Sequence, residues 1–197
     1  MEGEEEKPQK IQIVAFTTNE KTSSPNDIIE KYFSNNTYYL IKRNKNIIAF
    51  STTLPEQKKQ TKIMICTLTN LTIEYEGIND INCYIITIDL QKETSEEKFG
   101  QILEYAQAQC DISKKFFVLG VKKGEEDNEE NKVKYNVEDI QNKINLYNLN
   151  AEYYELNLDN SLEISKIITE IFQYCFNSYE TENAEKFADE GKSCLIY

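Results

Sequence analysis

The residues of this 197-residue chain most suggestive of chemistry are Lys21-Thr22, which close the octet Ala15-Phe16-Thr17-Thr18-Asn19-Glu20-Lys21-Thr22. The octet overlaps the end of the apolar run Ile11–Phe16, which reads as a buried strand. A lysine and a hydroxyl residue just past a strand are how a phosphate-cradling loop, G-x-x-x-x-G-K-[ST], ends. Both glycines of that pattern are missing, with Ala15 and Glu20 in their places, and no glycine occurs between Gly3 and Gly77. Glycine is needed there for backbone torsions that side chains resist and for close approach to phosphate. Glu20 also sets a carboxylate where phosphate charge would lie; two like charges about 4 Å apart repel by about 1 kcal/mol in water and by several at lower dielectric. As chemistry, Lys21-Thr22 therefore reads as a polar loop.

The second candidate is Cys194, in the closing Cys194-Leu195-Ile196-Tyr197. A cysteine, two aliphatic residues and one more form the C-a-a-X prenylation pattern, although tyrosine is not a usual last residue. The preceding stretch EKFADEGK is acidic, so a single lipid there would lack the basic patch that strengthens membrane binding. The other cysteines, Cys66, Cys83, Cys110 and Cys175, are widely spaced, and there is no histidine. That excludes Ser-His and Cys-His catalysis and a histidine pH switch, and argues against a zinc site. No metal and no cofactor is expected.

A net charge of −12 repels nucleic acid, whose recognition needs clustered Lys and Arg. Lys42-Arg43-Asn44-Lys45 and Lys58-Lys59 are small basic clusters that read as solvated turns. There is no signal peptide and no apolar run near 20 residues, so a cytoplasmic, reducing location is expected.

These residues have to be positioned by alternating elements. After a charged lead over 1–9, Ser24-Pro25 marks a helix start, followed by Ile28, Ile29, Tyr32 and Phe33 at helical spacing. Either Tyr38–Lys42 or Ile47–Thr53, with Lys62–Thr67, reads as a hairpin joined by the turn Pro55–Gln60. Cys83–Asp89 is a buried strand. Thr94 with Glu97 reads as a capping box for a helix with the stripe Phe99, Ile102, Leu103, Ala106 and Cys110. Phe116–Val121 is a strand, 124–136 an acidic loop, and Val137, Ile140, Ile144 and Tyr147 mark a helix. Glu152–Leu156 is a last strand, and Ile164 to Cys175 a last amphipathic helix before a polar tail over 178–197. The order β-α-β-β-β-α-β-α-β-α predicts an α/β fold over 10–177, a three-layer, six-stranded, mostly parallel sheet with helices on both faces and one antiparallel edge strand. Ligands of such folds bind in the crevice at the strand C-terminal ends.

With this order, the chain resembles the Ras superfamily of small GTPases over about 10–177, and the signature slots can be followed one by one. Lys21-Thr22 stands in the phosphate-loop register. Phe33, eleven residues past Thr22, fills the slot of the aromatic that flanks the base, and core packing explains it equally well. The family's switch threonine is replaced by Leu40, with Thr37 nearby but out of register. The D-x-x-G-Q slot reads Cys66-Thr67-Leu68-Thr69-Asn70. It lacks the aspartate that holds magnesium, the glycine that senses the γ-phosphate and the glutamine that orients water; a soft thiol is a poor magnesium ligand. The N-K-x-D slot reads Val121-Lys122-Lys123-Gly124, and Gly124 cannot accept hydrogen bonds from a guanine edge. The S-A-K slot reads Asn157-Leu158-Asp159.

Phosphoryl transfer without metal and positioned water loses its main electrostatic terms. The resemblance thus implies a degenerate pseudo-GTPase in which Lys21, Thr22 and Phe33 are relic positions and no nucleotide-binding or catalytic residue is expected. It implies a non-catalytic structural or adaptor subunit whose partners are other proteins of a ciliary, cytoskeletal or trafficking assembly. A membrane enters only if Cys194 is prenylated. The alternative is a divergent GTP-binding switch. The aromatic stretch Tyr32–Leu40 and the acidic loop Glu125–Glu130 are the candidate contact surfaces.

Overall fold

Alternation of helix and strand signals becomes a sheet with helices on both faces. The computed structural model describes residues 10–19, 21, 23–55, 60–68, 71, 80–124 and 133–193, the last twelve by backbone alone. Its elements are β1 (Lys10–Thr17), α1 (Pro25–Phe33), β2 (Tyr38–Arg43), β3 (Ile47–Thr53), β4 (Gln60–Leu68), β5 (Cys83–Asp89), α2 (Ser95–Gln109), β6 (Lys115–Lys122), α3 (Val137–Leu146), β7 (Ala151–Asn157) and α4 (Ser161–Ser193). They form one seven-stranded mixed sheet in the order β2-β3-β4-β1-β5-β6-β7. Strands β4, β1, β5, β6 and β7 run parallel to one another, and β2-β3-β4 is an antiparallel meander.

The expectation of six strands is corrected to seven, because Tyr38–Arg43 and Ile47–Thr53 both pair. Between them Asn44 turns the chain: its side-chain Oδ1 accepts from the Asn46 and Ile47 amides at 2.9 and 2.8 Å. An asparagine that bonds its own following backbone makes a turn without glycine. Lys42-Arg43 accordingly lies in a strand rather than in a turn.

Odd and even positions of the central strands face opposite layers, as the period of two requires. Ile11, Ile13 and Ala15 of β1 pack with α1 and α4, together with Ile63, Ile65, Ile85, Phe117 and Leu119. Val14 and Phe16 point the other way, toward α2 and α3, with Tyr84, Ile86, Phe116 and Val118. The first layer is anchored by Phe172 of α4, whose ring meets Tyr32 edge-on at 5.3 Å and Phe50 at 5.8 Å. There too the buried thiols of Cys83 and Cys175 touch, sulfur to sulfur at 3.0 Å, tying β5 to α4. Burial, then the neighbouring thiol, pushes Cys83 well above its ordinary pKa. Gly120 of β6 is required by close approach: a Cβ there would meet the hydroxyl of Tyr153 at 2.2 Å.

Local signals and structure part at two helix ends. Thr94 flanks α2, yet its side chain caps nothing, because its backbone is already helical at φ −70° and ψ −11°. Helix α4 does not stop near 177; it continues to Ser193, a run of 33 residues, about 50 Å at 1.5 Å rise per residue. The polar stretch expected as a tail is therefore helical through Ser193.

Candidate functional site

A crevice opens at the C-terminal ends of β1, β5, β6 and β7, where parallel sheets place their ligand sites. Its volume is about 670 Å³. Its walls carry Lys21 and Lys31 on the α1 side, Asp89 at the end of β5 and Lys92 beyond it, Lys122 and Lys123 at the end of β6, and Asp159 past β7. Asp27 and Glu30 of α1 complete the charged rim.

The loop from β1 to α1 forms the crevice rim, its amides bonded within the loop and to β5. The Thr18 amide donates to the Thr87 carbonyl at 3.0 Å, and the Ser23 amide to the Asn19 carbonyl at 3.1 Å. The Asn19 amide donates to Thr17 Oγ1 at 3.2 Å. The Lys21 amide donates to Asn19 Oδ1 at 3.0 Å. Underneath, the Thr87 hydroxyl donates to the Ser23 carbonyl at 2.6 Å, and Asn19 Nδ2 donates to Asp89 Oδ2 at 3.2 Å. The Asp89 amide donates to Thr18 Oγ1 at 3.0 Å. Thr18, Ser23, Thr87 and Asp89 are all buried. A phosphate cradle works by leaving successive backbone N–H groups free to point at the anion. At positions 18, 19, 21 and 23 those groups are already occupied.

The helix after the loop starts late. Pro25 holds its first turn and Ser24 caps it, accepting from the Asn26 amide at 3.2 Å. Lys21 therefore sits in a turn four residues before α1, with its side chain at the crevice. Thr22 and Glu20 lie outside the described residues.

Of the other slots, most lie away from the crevice. Phe33 is half-buried against Tyr38, stacked at 3.8 Å, and against Phe50, edge-on at 4.9 Å. It braces β2 and β3 and is not among the residues that line the crevice. Cys66 lies inside β4, two residues short of its end, and burial pushes its thiol up. Leu40 is an exposed residue of the edge strand β2. Thr69, Asn70, Cys194 and the acidic loop Glu125–Glu130 are outside the described residues. Val121, Lys122 and Lys123 do line the crevice. Lys122 pairs with Glu155 of the neighbouring strand at 2.6 Å. Gly124 turns with φ 78°, and its amide donates to Asp159 Oδ2 at 2.8 Å.

Sequence reasoning missed the convergence of lysines. Lys21, Lys31, Lys92 and Lys123 meet in the crevice from four separate segments, and none forms an ion pair within the described residues. Lys21 and the Lys122-Lys123 doublet stand out in one dimension; Lys31 and Lys92 are brought to them by the fold. The carboxylates among them are largely engaged: Glu30 with Arg43, Asp89 with Asn19 and the Gln91 amide, Asp159 with Gly124. Among the described residues, no group of three or more His, Cys, Asp or Glu could hold a metal ion, and no helix is long and apolar enough to cross a membrane.

No protein-family model matches this chain, and no curated protein matches it in sequence.

Proposed function

We propose that this chain is a degenerate member of the Ras superfamily, a pseudo-GTPase that serves as a non-catalytic structural or adaptor subunit of a larger protein assembly. The observation that carries the reading is the self-bonded loop. Its amides at 18, 19, 21 and 23 are taken up by Thr87, Thr17 and Asn19, so a phosphate would have to displace existing bonds to be held. Each backbone bond broken without an equal replacement costs about 1 kcal/mol or more. Asp27, Glu30, Asp89 and Asp159 add negative charge to the same crevice. The element order and the parallel centre of the sheet support the family; the meander strand β2 is an addition at its edge. Ciliary, cytoskeletal and trafficking assemblies are the settings the family resemblance suggests.

A second reading rests on the lysines. Four ammonium groups in one crevice, without ion pairs among the described residues, favour an anion, as a divergent GTP-binding switch would require; prenylation of Cys194 would then bring it to a membrane. Extraction of the purified protein followed by chromatography separates the two. No bound nucleotide is the result expected here, and a stoichiometric guanine nucleotide would establish the switch instead. For the assembly, native pull-down with mass spectrometry should recover stable partners; recovery of the lone chain at every salt concentration counts against it.

A further inference from the structure

Strand β2 is the edge of the sheet, and all six of its residues, Tyr38-Tyr39-Leu40-Ile41-Lys42-Arg43, are exposed. Tyr39 is 70% exposed and Ile41 49%, high values for large side chains. Exposed apolar edge strands are templates for further pairing, and lysines and bulges on an edge normally deter it. Here the bulge has a second effect. Tyr38 pairs with Thr52 and Arg43 with Ile48, positions four apart on β3 and so on one face of the sheet. Tyr39 pairs with Ser51 and Lys42 with Ala49, which share the opposite face. The register shift between Leu40 and Lys42 makes this possible, because in a regular strand residues 38 and 43 would face opposite ways.

From this we infer that β2 pairs with β2 of a second copy of the chain, antiparallel about a two-fold axis between Leu40 and Ile41. Opposite residues in an antiparallel pair share a face. In this register each Tyr38 lies opposite the other copy's Arg43 on one face, and each Tyr39 opposite the other copy's Lys42 on the other face. Leu40 meets Ile41 at the centre. Tyrosine rings thus meet cations, a favourable pairing, and no lysine faces a lysine. A register one residue away would set Tyr38 against Lys42, which lie on different faces, so the bulge excludes it. The strand is thus self-complementary in its pattern of faces and in setting a ring against a cation, as a two-fold interface must be. Six residues a side is a small interface, so the dimer is weak, of about micromolar affinity. Each copy carries −12, so added salt, by screening that repulsion, tightens it.

Sedimentation of the full chain over about a hundredfold range around micromolar concentration tests this. A monomer–dimer equilibrium is expected, strengthened by salt and weakened at least about tenfold by Ile41→Lys or by Tyr39→Ser, each with an unchanged far-UV spectrum. Two exposed positions are used so that misfolding of one variant leaves the other decisive. The register is read by Tyr39→Cys/Lys42→Cys in a Cys110→Ser, Cys194→Ser background, which should cross-link into covalent dimers under mild oxidation, since directly opposite residues lie within disulfide reach. The pair Tyr39→Cys/Arg43→Cys, on opposite faces, should not. A monomer at every concentration and salt, or a dimer indifferent to both strand variants, would overturn the inference. Cross-linking in the control pair alone would overturn the register.

Discussion

The floor and the rim of the crevice are a few residues apart along β1, yet different forces hold them. The floor is apolar on both sides of the sheet: Ile13, Val14, Ala15 and Phe16 are essentially inaccessible, locked between α1 with α4 and α2 with α3. The rim begins at Thr17 and is a mesh of small polar side chains that satisfy one another's backbone. Apolar burial is strong and indifferent to ligand. Hydrogen bonds contribute little net energy each, but they decide which backbone groups remain for a ligand. Substitutions in the floor should therefore change stability greatly, and those in the rim should change it little.

The largest effect is expected at Phe172, fully buried between Tyr32 and Phe50. Phe172→Ala should lose about 3–5 kcal/mol in urea unfolding, the usual range for emptying such a site; a loss under about 1 kcal/mol would mean that α4 is not what closes that layer. Gly120→Ala comes next. Its Cβ would run into Tyr153, so overpacking should cost about 1–3 kcal/mol. Tyr153→Phe, which removes the atom met first, should restore part of the loss in the double variant. If the two losses simply add, the clash lies elsewhere.

Alkaline pH probes the floor by another route. Tyr84 is buried beside Phe16 and Phe116, its hydroxyl accepting from the Asp111 amide at 3.1 Å, and burial raises its pKa to about 12. The native state holds that proton where the unfolded chain, near 10, has released it, so this stabilisation is full below about pH 10 and falls away toward pH 12. Unfolding midpoints should drop across that window, less steeply in Tyr84→Phe. An unchanged slope in the variant would assign the effect to other tyrosines with raised pKa, such as the half-buried Tyr154.

The smallest effect is expected at the rim. Asn19→Ala removes the acceptor of the Lys21 amide and the donor to Asp89. It should cost only about 1 kcal/mol and speed exchange of the Lys21 amide. It should not create nucleotide affinity, because the missing glycines and Glu20 remain. Measurable GTP binding by this variant would show that Asn19 alone blocks an intact site.

Apolar periodicity made most of the floor legible in the sequence. IQIVAF, CYIITID and FFVLGV all became central strands, and the stripe from Phe99 to Ala106 became the buried face of α2. What failed were features that depend on contacts distant in sequence. The hairpin was misjudged by one strand because Asn44 makes a turn through its side chain, without the usual glycine. The slots at Phe33, Leu40 and Cys66 were placed by spacing, yet packing leaves Phe33 half-buried against β2 and β3, Leu40 at the sheet edge and Cys66 inside β4. The convergence of the crevice lysines was invisible because the connections after β1, β5 and β6 bring them together. The self-bonding of the loop could be anticipated only as the absence of glycine; the part played by Asn19 and Thr87 needed the fold.

Titration of the purified full chain with GTP and GDP, with and without magnesium, followed by calorimetry, tests the central claim most directly. The occupied amides predict no saturable binding at micromolar nucleotide, with or without the metal. Stoichiometric binding that tightens with magnesium would contradict it.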